Sequence, residues 1–377
     1  MQQTLCVFVG TYTQPIRFGT GQLLEGKGQG IHAYTMDENS GTLKERFVAK
    51  GIDNPSYLAF SADKTHLYAV NELKRFQNQD SGAVSAFRLD KRASGLTFLN
   101  QQPTQGTDPC HVTLNAAQTH VYVSNFMSGS VSVFPIAPDG SLQDSCCFLQ
   151  HHGSSVHPRR QTGPHAHSLV FTPDQRYALV PDLGLDRLMV YVPDSESGKL
   201  SPAPIPYFQT APGSGPRHCV FHPNGKICYL INELGSSITV LRYDAAQGAF
   251  AAVQTVPSVV VPFDPESNIC ACIKMTPDGR FLYGSNRGQD TLVAYAVDPA
   301  GTLTYIDTFS SEGKTPRDFE IDPTGRFLLC GNQDSDCIAV FSIAPQTGEL
   351  SLVSRCDAPT PVCIKPVFLQ DAPAALA

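Results

Sequence analysis

One pattern returns six times along this chain. Its versions are "NPSYLAFSADKTHLYAVNEL" from residue 54, "DPCHVTLNAAQTHVYVSNF" from 108 and "PHAHSLVFTPDQRYALVPDLG" from 164. Three more follow: "GPRHCVFHPNGKICYLINEL" from 215, "NICACIKMTPDGRFLYGSNRG" from 268 and "TPRDFEIDPTGRFLLCGNQD" from 315. Their spacing is roughly 45 to 56 residues, the period of stacked or radial repeat architectures.

Each version has the same grammar. A short apolar strand meets a turn such as "TPDG" or "DPTG", and a second strand follows and ends in Asn or Asp. A third strand comes next ("SSITVLRYD", "DTLVAYAVD", "CIAVFSIAP"), then a turn carrying Leu, as in "GTLT" and "TGEL". Apolar and polar residues alternate as strands require, and no convincing amphipathic helix interrupts them. Four antiparallel strands per unit, repeated radially, predict an all-β propeller. The two ends complete it. "CVFVGTYT" reads as a second strand and "GIHAYTMDENSGTL" as a third, while "TPVCIKPVF" at 360–368 reads as a first strand with nothing after it. Joined, they make a seventh blade and remove the exposed edges of an open arc. The expectation is one seven-bladed domain over residues 1–377.

Composition agrees. The 377 residues hold 30 Gly and 29 Pro but only 16% charged residues, which suits many short strands and turns. A net charge of −7 argues against a nucleic-acid partner, which needs a basic face. No long apolar run predicts a membrane span, and "MQQTLCVFVGTYT" lacks the basic and apolar regions of a signal peptide. The twelve cysteines are therefore expected as reduced thiols, several of them core hydrophobes (Cys6, Cys219, Cys228, Cys330). Cys270 and Cys272 would share a strand face, a pattern that argues little for a metal.

In a blade, the start of the first strand and the end of the second lie on the same face, beside the central channel. Arg217, His218 and Glu233 therefore belong to one mouth, with His165, His167 and Asp182 from the preceding blade. Arg287 and Arg317 join them from the next two blades, and Glu72 and Asn125 from earlier ones. Arg280 and Arg326 fall on the opposite face. Turn chemistry accounts for the recurrent Asn71, Asn125, Asn232, Asn286 and Asn332, but not for three arginines in consecutive blades.

Guanidinium groups bind carboxylate or phosphate bidentately, so the mouth expects an anionic small molecule. Histidine can exchange a proton near neutrality, and Glu can orient it or act itself. The set suits water attack on an ester-like carbonyl, with Arg stabilising the oxyanion, or the reverse ring closure. The loop "SSVHPRRQTGPHAH" (154–167) enters the same mouth with His157, Arg159 and Arg160; it either closes over a phosphate or stays an exposed basic loop. "GQLLEGKGQG" (21–30) reads as a flexible inter-strand loop without phosphate-loop chemistry. No G-x-S-x-G elbow offers a serine nucleophile. A calcium site from Glu72, Asn125, Asp182 and Glu233 is disfavoured by the neighbouring arginines, so no metal or cofactor is expected.

The segments "PHAHSLVF", "DLGLDRLMVY", "GPRHCVFHPNG", "INEL" and "PDGRFLYGSNRG" resemble the seven-bladed lactonases. That family includes propeller-type 6-phosphogluconolactonases and 3-carboxy-cis,cis-muconate lactonizing enzymes. The resemblance covers nearly the whole chain. It implies a cytoplasmic enzyme acting on a sugar-acid lactone or a carboxymuconate without a required metal. Residue by residue, it implies that the active-site histidine is His167, the arginines Arg217 and Arg287, and the glutamate Glu233. His165, Asp182, His218, Arg317, Arg159 and Arg160 are then candidate substrate-binding residues. The leading expectation is hydrolysis of 6-phosphogluconolactone, with His167 or Glu233 activating water. Cycloisomerisation, another sugar lactone, or a non-catalytic interaction platform are the alternatives.

Overall fold

The computed structural model describes residues 3–18, 21–90, 94–260 and 267–370. Among them are seven four-stranded antiparallel sheets and one two-stranded hairpin, with no α-helix. The first blade is assembled from both termini: Pro361–Gln370 is innermost, followed by Gln3–Thr11, Gly30–Met36 and Leu43–Lys50. The other six blades run in chain order, with inner strands Pro55–Phe60, Pro109–Leu114, Val170–Phe171, Pro216–Phe221, Ile269–Met275 and Pro316–Ile321. The closure at 360–368 therefore follows the strand pattern read from the sequence. In the fourth blade the inner strand is short, and an Ala166–Asp182 bridge extends its line toward the mouth.

Two repeated contacts hold one blade against the next. Tyr68, Tyr122, Tyr229 and Tyr283 sit at the same place on second strands, and each hydroxyl donates to a glycine carbonyl in the following blade: Gly140, Gly198, Gly301 and Gly348. These glycines have φ between 70° and 88°, a conformation that costs an L-residue about 1–2 kcal/mol. A Cβ on any of them would also strike a side chain of the preceding blade, such as Phe281 for Gly348. The recurrent asparagines are fully buried rather than exposed in turns. Asn71, Asn286 and Asn332 donate to the carbonyls of Asp53, Ser258 and Ser311, which lie in loops leading toward or out of the blades. They are internal cross-links, a role stricter than turn formation.

Register explains which residues face the channel. Pro55, Pro109, Pro216 and Pro316 pair with Asn71, Asn125, Asn232 and Asn332, and the ladder then slips by one residue. Ser56, Cys110, Arg217 and Arg317 are the extra residues. A bulge leaves its extra residue unpaired and re-aims the strand. All four line one small cavity at the neck of the channel, together with Tyr57, His218 and Asp318. The proline–asparagine pair thus sets a ring of side chains at a fixed depth.

The segment 21–30 differs from the expected flexible loop. Leu23–Leu24 pairs with Ile16–Arg17 in a small hairpin beside the mouth. Its return path is pinned, since Gly28 N donates to Tyr12 O and Lys27 N to Thr360 Oγ1, both at 2.8 Å. Cys270 and Cys272 also part company. The strand slips between Cys270 and Ile273, and their thiols turn to Asn286 Oδ1 and to the Phe319 carbonyl respectively.

The blade staples are testable by denaturant unfolding. Gly348→Ala combines backbone strain with overpacking and should cost about 2–4 kcal/mol, whereas Tyr283→Phe should cost about 1 kcal/mol. A Gly348→Ala midpoint equal to the native one would contradict this account of how blades dock.

Candidate functional site

At the mouth the second strands end, and the residue after each recurrent asparagine turns inward: Glu72, Phe126, Glu233, Arg287 and Gln333 follow Asn71, Asn125, Asn232, Asn286 and Asn332. With residues of the hairpin and of several blades they line a cleft of about 1050 Å³, open solvent at its rim included. His167, Arg160, Cys110, Asp108 and Arg317 share the lining.

Glu233 is the centre of charge. It is only 2% exposed and meets three guanidinium groups. Arg160 Nη2 donates to Oε1 at 2.6 Å, and Arg287 Nη2 donates to Oε2 at 2.8 Å. Arg217 Nε lies 3.0 Å from Oε2, close enough for Coulombic pairing but misaligned for a hydrogen bond. Burial alone would raise the carboxyl's pKa; Arg287, Arg160 and Arg217 outweigh it and hold it well below the usual carboxylate range. Such a carboxylate is a poor proton acceptor. Burial lowers Arg287, against the pull of Glu233, to about 10, so it stays charged at neutral pH.

His167 faces this cluster, with Nε2 3.8 Å from Glu233 Oε2. Phe126 and His218 pack on it edge to face, at 5.0 and 5.4 Å between ring centroids. Burial, then Arg217, drives its pKa well below the ordinary histidine value, with Glu233 opposing. The imidazole is therefore neutral at physiological pH and able to accept a proton.

The 154–164 loop divides its two arginines. Ser155 Oγ donates to Asp186 Oδ2 at 2.5 Å, Gln161 Nε2 to the Leu183 carbonyl at 2.8 Å, and Arg160 N to His157 Nδ1 at 3.1 Å. So anchored, the loop delivers Arg160 to Glu233 and leaves Arg159 exposed at the surface. Arg217 and His218 sit one level deeper, in the neck, with Arg217 Nη1 also donating to the Ala271 carbonyl. Arg317 spans cleft and neck. It lies 3.7 Å from Glu72 Oε1 and over the rings of Tyr12 and Phe18 at 5.4 and 5.5 Å.

Two more expected binding residues, besides Arg159 and His218, do not reach the cleft. Asp182 is fully buried and spends its oxygens on His151 Nδ1 and on the amides of His165, Gly184 and Leu185. His165 stacks on Phe126 at 4.6 Å and bonds its carbonyl through Nδ1, so it braces a lining residue from behind. The four oxygen residues weighed for calcium are also dispersed. Asn125 binds Ser130 and Ser132, Asp182 binds backbone, and Glu72 and Glu233 hold arginines.

The cleft also holds residues that the repeat pattern alone did not single out. Asp108 receives Lys74 Nζ at 2.9 and 3.0 Å. Burial, reinforced by Glu72 and opposed by Lys74, raises its pKa to about 6. Tyr12 donates its hydroxyl to Glu72 Oε2 at 2.9 Å. The only sequence signal for Asp108 was its place before the "PCHV" strand, the position held elsewhere by Gly215 and Thr315.

The sequence matches the family described as "Lactonase, 7-bladed beta-propeller" over residues 6–366. It is 36% identical over 360 residues to the 6-phosphogluconolactonase of Bacillus subtilis (strain 168), covering 95% of this chain and 97% of that one. It is 32% identical over 327 residues to a 6-phosphogluconolactonase of Formosa agariphila, covering 84% and 86%. Among solved structures, the periplasmic gluconolactonase of Pseudomonas aeruginosa superposes with a TM-score of 0.89 at 33% identity, covering 97% of this chain and all of that one. The closed seven-bladed ring, the arginine-ringed cleft and these matches have one reading: the chain belongs to the seven-bladed β-propeller lactonase family.

Proposed function

We propose that the protein is a lactonase that hydrolyses 6-phospho-D-glucono-1,5-lactone to 6-phosphogluconate. The observation that carries the reading is the wall of Arg160, Arg217 and Arg287 around one carboxylate. Three guanidiniums less one carboxylate leave a surplus of two positive charges, which favours an anionic substrate and a developing oxyanion. Kinship with the two 6-phosphogluconolactonases supports the phosphorylated form.

In this reading the lactone carbonyl lies between His167 and Arg287. His167 takes a proton from water as the water oxygen bonds to C1, and Arg287 and Arg217 stabilise the oxyanion. The tetrahedral intermediate collapses, the bond from C1 to the ring oxygen breaks, and the imidazolium returns the proton to that oxygen. Burial is the main cause of the low basicity of His167; entry of an anion opposes the second cause, Arg217, and restores part of it. Glu233 serves as the counter-charge that arrays the guanidiniums, because its ion pairs remove its own basicity. In this reading Arg160 holds the phosphate, while Arg317 stays beside Glu72. None of the twelve cysteines forms a disulfide, which supports a reducing, cytoplasmic setting.

The likeness to the gluconolactonase favours a second reading, an unphosphorylated sugar lactone. A comparison of gluconolactone with its 6-phosphate separates the two. The leading account predicts kcat/KM at least tenfold higher for the phosphate ester, and a preference for the neutral lactone overturns it.

His167→Asn should lower kcat by about 10²–10⁴ and Arg287→Ala by about 10² or more, measured against the spontaneous rate. With a neutral His167 in the free protein, kcat/KM for gluconolactone in an Asp108→Asn background, which removes the cleft carboxyl raised to about 6, should lack the inflection near 6.5 of an ordinary histidine. An inflection there would assign the base to a group with an unshifted pKa.

A further inference from the structure

The cleft has two chemically different sides. Arg160, from the loop before the fourth blade, and Arg287, from the sixth, make one side, with Arg217 one level deeper, and it offers hydrogen-bond donors. Opposite, the second, third and seventh blades contribute Glu72, Asp108 and Gln333, all lining the same cleft. Their free capacity is for accepting. Glu72 receives one hydrogen bond, from Tyr12, and holds Arg317 only at 3.7 Å. Asp108 receives Lys74 alone from the side chains around it.

Gln333 is the independent observation. It is 3% exposed, yet its Oε1 is buried without a hydrogen-bond partner. The amide orientation is set by Nε2, which donates to Asp334 Oδ1 at 2.8 Å, so the orphan atom is an acceptor. A buried acceptor without a donor is destabilising, and a cleft lining that carries one calls for a ligand that donates. With the Asp334 carboxylate hydrogen-bonded to its amide, Gln333 has no use for an anion. The complementary group is a hydroxyl, and several acceptors in one arc fit several hydroxyls on one ring.

We propose that Glu72, Asp108 and Gln333 form an acceptor arc that recognises the ring hydroxyls of a polyhydroxylated lactone and sets its orientation. This rests on the lactonase reading above. The donor side takes the acyl and phosphate oxygens, and the acceptor arc takes the hydroxyls, so the ring enters with one edge toward each side. Specificity for a sugar-acid lactone over a plain one then comes from the arc rather than from the arginines. A hydroxyl bonded to a charged acceptor contributes about 1.5–3 kcal/mol, a factor of about 10–100 in selectivity.

The test compares kcat/KM for D-glucono-1,5-lactone and for δ-valerolactone, which has the same ring without hydroxyls. Gln333→Met and Asp108→Asn, each checked for a native-like melting temperature, should lower the gluconolactone-to-valerolactone ratio about 10- to 100-fold. Gln333→Asn, which keeps an amide able to donate and to accept at this place, should retain more of the ratio than Gln333→Met. If both substrates fall in step, so that the ratio stays within about twofold of native, the residues act structurally and the inference is overturned. If the native protein hydrolyses neither lactone nor the 6-phosphate ester, the lactonase reading itself fails, which is a distinguishable result.

Discussion

Everything at the mouth depends on one buried carboxylate shared by three guanidiniums. Glu233 without its arginines would be a desolvated acid with a raised pKa, and the arginines without Glu233 would be three like charges packed together. Neither half is stable alone, and removing one partner of such a buried set costs about 3–5 kcal/mol. The pairing also joins separate parts of the chain, since Arg160 comes from a loop, Arg217 and Glu233 from one blade and Arg287 from the next. Beside it, burial and then Arg217, with Glu233 opposing, depress His167, so the imidazole facing the cluster is neutral. Site chemistry and blade order are therefore one arrangement.

The ring that carries this cluster is nearly symmetric, and its chemistry is not. Equivalent places on successive blades hold Ser56, Cys110, Arg217 and Arg317 at the neck, and Glu72, Phe126, Glu233, Arg287 and Gln333 at the mouth. The bulges fix the depth of each ring, while the side chain at each blade is free to vary. Divergence at those few places turns seven similar walls into a donor side and an acceptor side. The tyrosine–glycine staples and buried asparagines add cross-links away from the channel.

Strand direction and repeat period made much of this legible. Once the first strand was known to start at the mouth and the second to return there, Arg217, Glu233, Arg287 and His167 fell together without any coordinates. What stayed hidden depends on contacts outside the repeat. Arg159 and Arg160 are adjacent and alike in sequence; only the anchoring of the loop by Ser155 and Gln161 decides which one turns inward. Asp182 resembles a mouth carboxylate until His151, from a loop, claims it. His218 follows Arg217 beyond the slip in register and faces a deeper level than simple alternation assigns. The hairpin with Phe18 belongs to no repeat, so no period pointed to it.

The central claim is that a sugar-acid substrate lies across the cleft, with its acyl oxygens on the arginine side. A crystal structure of the complex with 6-phosphogluconate tests it most directly. The account predicts the product carboxylate within hydrogen-bond distance of Arg287 and beside His167, with hydroxyls donating to the side that holds Glu72, Asp108 and Gln333. A product bound with its carboxylate away from Arg287 and His167, or held outside this cleft, would contradict it.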